Sequence, residues 1–243
     1  DYRLATDWPA EDLERALIGW GLGCYRFDRY KKQAEIKARL LLPEGLADRV
    51  EALVEASGFV RDLVNTPALD LGPAELAEIA AELAHRHNAA FEVIEGERLE
   101  KEFPAIHVVG QASTRAPRLI RMQWGDPTAP ALALVGKGVM FDSGGLDIKP
   151  GAGMALMKKD MGGAAHVLGL AQLIMRLGLK VNLRVYIPAV ENAIAGNAYR
   201  PSDIIRTRKG TTVEIGNTDA EGRVVLSDAL SLACEEGAER IID

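Results

Sequence analysis

Two apolar runs constrain this chain more than any other feature. ALALVGKG (residues 131–138) and VNLRVYIPAV (181–190) are continuous hydrophobic stretches, the first stopped by glycine. Runs of this kind suit strands buried on both faces of a sheet. Between and after them, AAHVLGLAQLIMRLGL (164–179) and VVLSDALSLACEEG (224–237) carry apolar positions at helical spacing. Upstream the alternation continues, with a helix in AELAEIAAELAHRH (74–87), a strand in AFEVIEG (90–96), a short helix from Glu97 to Phe103 and a strand from Leu119 to Trp124. Alternating buried strands and helices predict a three-layer α/β domain, with a mostly parallel or mixed central sheet flanked by helices.

The first part of the chain reads differently. A helix from about residue 9 to 23 ends in GWGLG, which has neither the order nor the following lysine of a phosphate-binding loop. CYRFDRYKK then reads as a strand or an extended connection, and Pro43, Glu44 and Gly45 break the chain before a long amphipathic helix, LADRVEALVEASGFVRDLVN (46–65). This predicts a small first segment, residues 1–44, joined by that helix to a main domain over residues 45–243.

Composition excludes some partners. Among 243 residues, 29 basic side chains against 35 acidic ones give a net charge of −6, which argues against a general affinity for nucleic acid or an anionic membrane. The N-terminus is acidic and amphipathic, unlike a signal peptide. Cys24 and Cys234 stand far apart with no metal pattern and are expected to be reduced and structural, as in a cytosol. The four histidines show no paired-ligand spacing, so a histidine-rich zinc site is not expected.

The charged residues that remain gather in three places. Directly after ALALV comes GKGVMFDSGGLDIKP (136–150), a glycine-rich loop at a strand's carboxyl end, where ligands of open α/β sheets collect. It offers Lys137, Asp142, Asp147 and Lys149. The apolar setting of Lys137 is expected to bury it, lower its pKa and leave a neutral amine able to act as a base or a metal ligand. Asp160, in MKKDMGG, precedes an apolar helix and is either its N-cap or a ligand. NTDAEGR (217–223) places Asp219, Glu221 and Arg223 at every second position, so in an extended segment they would share one face. Convergence of these carboxylates would demand divalent cations to balance their charge, with Lys149 and Arg223 left to act on a substrate. Such a set permits a two-metal phosphoesterase as well as a peptidase. Asp147 reads as an exposed loop residue.

In this order and with these separations, VGKGVMFDSGGLDIKP, MKKDMGG and NTDAEGR resemble the leucine aminopeptidase (cytosol aminopeptidase) family of dinuclear metallopeptidases, over roughly residues 55–243. The resemblance implies hydrolysis of the first peptide bond of peptides with a free N-terminus, with apolar residues such as leucine preferred. It implies two divalent ions, zinc or manganese with magnesium also suited to the carboxylates, held by Lys137, Asp142, Asp160, Asp219 and Glu221. Lys149 matches the lysine that polarises the scissile carbonyl, Arg223 the arginine that holds a bicarbonate ion serving as general base, and Met157 a methionine lining the pocket for the first side chain. A homohexamer and a cytoplasmic setting go with the family. Some members also bind DNA in architectural or regulatory roles, a second reading that the acidic balance disfavours. Family members have a longer N-terminal domain and a catalytic domain that continues past a segment like ERIID, so the sequence is expected to be part of a longer chain.

Overall fold

In a computed structural model, which describes residues 1–4 and 6–243, the apolar runs become neighbours in one sheet. The chain opens with α1 (Ala10–Gly23) and α2 (Ala47–Asn65), followed by α3 (Pro73–Arg86), β1 (Ala90–Glu95), α4 (Gly96–Glu102) and α5 (Pro104–Gly110). Next come β2 (Arg118–Gly125), β3 (Ala131–Val135), β4 (Gly138–Asp142) and the single turn α6 (Gly151–Met154). A 3-10 turn (Met157–Met161) leads into α7 (Gly162–Arg176) and β5 (Asn182–Asn192). The hairpin strands β6 (Ile204–Arg206) and β7 (Thr212–Glu214), a second 3-10 turn (Thr218–Ala220), α8 (Glu221–Glu235) and β8 (Arg240–Ile242) complete the order.

The main sheet runs β1-β2-β5-β3-β8, antiparallel at β1-β2-β5 and parallel across β5-β3-β8, with β4 also parallel to β5. It is therefore the mixed sheet expected. Successive side chains of β5 go to opposite layers. Leu183, Val185, Ile187 and Ala189 pack with α2, α3 and α7, whereas Tyr186 and Val190 pack with α5 and α8. Two apolar cores, one on each face, make the three layers. Among the described residues no helix is long and apolar enough to cross a membrane.

One break in this regularity builds the site. Val135 pairs with Tyr186 and Gly138 with Ala189, so β3 and β4 are two halves of one path along β5, interrupted at Gly136 and Lys137. By that register Lys137 stands opposite Pro188, and Gly136 still donates its N–H to the Tyr186 carbonyl at 3.0 Å. The Lys137 carbonyl points away from β5 and accepts from the Ala164 N–H at 2.9 Å, at the start of α7. The expectation of a loop from residue 136 to 150 is thus corrected for its first half. Val139 and Met140 are buried and extend the strand as far as Asp142.

Residues 24–32 form no strand, which leaves the connection of the two alternatives. Two other features departed from the reading of local pattern. The helix α5 begins at Pro104, immediately after the residue ending α4. NTDAEGR is not extended, because Asn217 caps a 3-10 turn by accepting from the Asp219 N–H at 2.7 Å and α8 follows at once. Cys24 is half-buried and Cys234 exposed, both free.

Candidate metal centre

Lys137 leaves the strand path into a seat that only small neighbours permit. A Cβ on Gly222, the second residue of α8, would lie 2.8 Å from Lys137 Cδ and Cε, and one on Gly163 would lie 3.0 Å from the Lys137 nitrogen. The ammonium therefore reaches between two helix starts. Its Nζ lies 2.7 Å from Asp160 Oδ2 and 2.7 Å from Glu221 Oε1. Asp160 is free to take part because it does not cap α7; the cap position is Met161, and no side chain caps that helix.

A second pair sits beside the first. Lys149 Nζ lies 3.0 Å from Asp142 Oδ2 and 2.5 Å from Asp219 Oδ1. Oxygens of Asp142, Asp219 and Glu221 lie within 4.8 Å of one another, which joins the two pairs into one cluster. Four carboxylates thus face two ammonium groups, a surplus of negative charge in a largely buried place.

The polar neighbours hold this cluster in position. Asp142 Oδ1 accepts from the Gly144 N–H and from Asn192 Nδ2, both at 2.8 Å, which leaves Oδ2 turned toward Lys149. Asn192 also donates to the Thr218 carbonyl at 3.0 Å, and Tyr199 Oη donates to that same oxygen at 2.7 Å. Asn192, Tyr199 and Thr218 were not found from sequence. The available signal was a buried asparagine ending an apolar strand, visible only once the strand's burial is known.

Several carboxylate oxygens have no such partner. Asp160 Oδ2, Asp219 Oδ1 and both oxygens of Glu221 are buried without a hydrogen bond. Three of them are met by ammonium groups, Asp160 Oδ2 and Glu221 Oε1 by Lys137 and Asp219 Oδ1 by Lys149, while Glu221 Oε2 has no partner. Burial pushes Glu221 up to about 7 against the opposing pull of Lys137. Burial also works to lower Lys137, yet Asp160 and Glu221 outweigh it and hold the ammonium above its ordinary range. The neutral amine expected from burial alone is corrected accordingly: with only these carboxylates as neighbours the lysine keeps its proton, and a competing cation would be needed to release it. Lys149 is likewise held above its usual range, the pairing with Asp219 and Asp142 overcoming burial.

Orphaned buried carboxylate oxygens are costly unless a cation completes them. The donor set, four carboxylates and a lysine, is chemically suited to hard or borderline divalent ions. The residues present therefore fit such a group.

Two of the sequence-predicted residues stand apart. In a helix, positions i and i+2 diverge by about 200°, so Arg223 cannot share Glu221's face as an extended segment would have allowed. It is exposed and lines a cavity with Asn217, Ala220, Thr207, Ser227 and Ile215. Met157 begins the 3-10 turn that carries Asp160 and is half-buried. Asp147 is exposed as a residue, yet its carboxylate Oδ2 accepts from the buried Thr218 N–H at 2.7 Å.

Comparison with known proteins agrees with this geometry. Residues 58–243 match the family model described as "Cytosol aminopeptidase family, catalytic domain", and residues 1–43 match "M17 aminopeptidase, N-terminal domain". A probable cytosol aminopeptidase of Rhodococcus opacus is 41% identical over 98% of this chain and 51% of its own length. The crystal structure of cytosol aminopeptidase from Coxiella burnetii superposes with a TM-score of 0.97 at 53% identity, covering 99% of this chain and 53% of that one. The bottromycin maturation enzyme BotP in complex with Mn superposes with a TM-score of 0.88 at 39% identity, covering 99% of this chain and 54% of that one. The chain spans about half the length of the curated relatives it matches. A lysine seated by glycines among surplus carboxylates, on a mixed α/β sheet matched by these relatives, leads to one conclusion: the chain belongs to the cytosol aminopeptidase family.

Proposed function

We propose that this chain carries the metal centre of an aminopeptidase that hydrolyses the first peptide bond of peptides with a free N-terminus, preferring apolar first residues such as leucine. The observation that carries the reading is the convergence of four carboxylates, Asp142, Asp160, Asp219 and Glu221, on only two ammonium groups, Lys137 and Lys149. Lys137, Asp142, Asp160, Asp219 and Glu221 would hold two divalent ions, zinc or manganese with magnesium also suited. A manganese-bound relative, BotP, supports the assignment by likeness. When bound, such ions supply Lewis acidity and lower the pKa of water.

The remaining roles belong to the protein's own side chains. Lys149, held protonated between Asp142 and Asp219, would polarise the scissile carbonyl and stabilise the negative charge that develops on its oxygen. Arg223, which lines a cavity with Asn217 and Ala220, would bind bicarbonate, the group that takes the proton. Met157 would line the pocket for the first side chain. Fixing the substrate's amine and carbonyl together would align the first peptide bond for attack.

We further read residues 1–44 as the tail of an N-terminal domain and 45–243 as the catalytic domain, supported by the separate matches over 1–43 and 58–243. A homohexamer and a cytoplasmic setting accompany this reading, and light scattering of the intact protein checks the first. Membership of an aminopeptidase family gives no support to the DNA-binding or phosphoesterase alternatives.

The direct test is hydrolysis of leucine p-nitroanilide with added Mn²⁺ or Zn²⁺, with and without chelator. Turnover that persists undiminished after metal removal overturns the reading. Lys149→Ala and Arg223→Ala are expected to lower kcat by about 100-fold or more, with far smaller effects on metal binding.

A further inference from the structure

We infer that Asp147 and Thr218 form a latch between two loops and that this latch positions Lys149 against Asp219. The inference rests on the peptidase reading above and adds two positioning residues to it. Lys149 lies two residues beyond Asp147, and Asp219 directly follows Thr218, so the contact sits next to both members of the pair that approach to 2.5 Å.

The latch is reciprocal. The Asp147 N–H donates to Thr218 Oγ1 at 2.9 Å, and the Thr218 N–H donates to Asp147 Oδ2 at 2.7 Å. The single hydroxyl proton of Thr218 goes to the Gly144 carbonyl at 2.7 Å, a shorter contact than the 3.1 Å to Asp147 Oδ2. Every polar atom of Thr218 is engaged, its carbonyl by Asn192 and Tyr199, and the residue is fully buried. Close approach of the two loops depends on Gly145. Its φ is +66°, and a Cβ there would lie 2.9 Å from Thr218 Oγ1.

Without the latch the Lys149 loop is held by local bonds near its base, where the Lys149 N–H donates to the Ser143 carbonyl at 3.0 Å, the Gly144 N–H to Asp142 Oδ1 at 2.8 Å and the Gly145 N–H to Ser143 Oγ at 3.2 Å. Its tip, Leu146 to Ile148, is exposed. Backbone closure fixes where the loop starts and ends, but not how far the Lys149 side chain stands from Asp219 on the other loop. Asp147 thus acts through the backbone it pins and touches no reacting group.

The test uses the intact protein and three readouts: kcat at saturating metal, Mn²⁺ binding followed by electron paramagnetic resonance, and amide hydrogen exchange over residues 144–149. Asp147→Ala and Thr218→Val are each expected to lower kcat and the affinity of the weaker Mn²⁺ equivalent by about 10- to 100-fold, as loss of an orienting partner does, and to speed exchange in the loop. Asp147→Asn keeps an oxygen acceptor, and Thr218→Ser keeps the hydroxyl; both should stay within about threefold of the parent, below the loss expected for a broken orienting contact. Asp147→Ala removes the acceptor of the Thr218 N–H and Thr218→Val the acceptor of the Asp147 N–H, so the double variant, which loses both halves, should be more impaired than either single one.

Asp147→Asn as damaging as Asp147→Ala would overturn the latch, since charge rather than the contact would then matter. Unchanged exchange at 144–149 in Asp147→Ala would do the same. Failure of the peptidase reading looks different: the parent protein itself would bind no Mn²⁺ and cleave no peptide, while the exchange measurement would still decide whether the latch exists.

Discussion

Glu221 and Asp228 occupy the same helix, α8, and are about equally hidden from water, at 1% and 0% exposure. Their surroundings are opposite. Asp228 Oδ2 accepts from the Ala105 N–H at 2.8 Å and the Ile106 N–H at 3.4 Å, and its Oδ1 accepts from the Arg208 N–H at 2.7 Å. It ties α8 to the start of α5 and to the turn after β6. Glu221 has no backbone donor; Lys137 Nζ stands 2.7 Å from its Oε1, and Oε2 has no partner. Burial raises the pKa of both, so burial alone does not distinguish them. The difference lies in what completes the charge. Asp228 is completed by fixed backbone amides and serves the fold, whereas Glu221 is left open toward Lys137 and a site suited to cations.

The sharpest way to break this contrast is Glu221→Gln. It is expected to reduce peptidase activity by at least about 100-fold, while leaving thermal stability unchanged or higher, because it lessens the surplus of four carboxylates over two ammonium groups. Calorimetry beside the activity assay checks this, and a loss of stability on the scale seen for Asp228 would erase the distinction. Next in size is the effect of the ions. Mn²⁺ at about 100 times its Kd should stabilise the parent protein by about 2.7 kcal/mol, should stabilise Asp228→Ala equally, and should have much less effect on Glu221→Gln; thermal shift titrations measure all three.

Asp228→Ala strands buried backbone donors and should cost about 1–3 kcal/mol in urea unfolding, with kcat per folded molecule preserved. Asp228→Asn keeps one acceptor but sets an amide NH₂ against one of the backbone donors, so it should also destabilise.

Glu92 provides the smallest effect and an exposed reference. Its bond to Arg98, with Arg121 on its other oxygen, holds the carboxyl below its ordinary 4.5. A depressed folded pKa stabilises above the unfolded value and loses that stabilisation as pH falls through the folded one. Glu92→Gln should therefore destabilise by less than about 1 kcal/mol at neutral pH, and the difference should vanish in acid below the folded pKa.

Much of this was legible beforehand because it depends on short-range pattern. The periods of ALALV, VNLRVYIPAV and the two helices after them announced a sheet with helices on both faces, and the mixed three-layer fold followed. The residues of the charged cluster could be named because charges so close to buried strands must find partners. What failed did so for identifiable reasons. The glycines around Lys137 read as a loop, although β4 continues the path of β3, since that continuation is set by pairing with β5, a distant strand. The spacing of Asp219, Glu221 and Arg223 suggested an extended face, but the side chain of Asn217 starts a 3-10 turn and α8 sends Arg223 elsewhere.

Taken alone, the amino-acid sequence determined the kinds of elements, their order and the chemical types available for a site, because periodicity and capping act within a few residues of themselves. Only the tertiary structure decided which distant groups meet: Lys137 with Asp160 and Glu221, Asn192 between Asp142 and Thr218, and Asp147 across from Thr218. Those meetings are fixed by sheet register and by helix starts packed against the strand ends, which couple positions roughly a few dozen residues apart that no local rule relates.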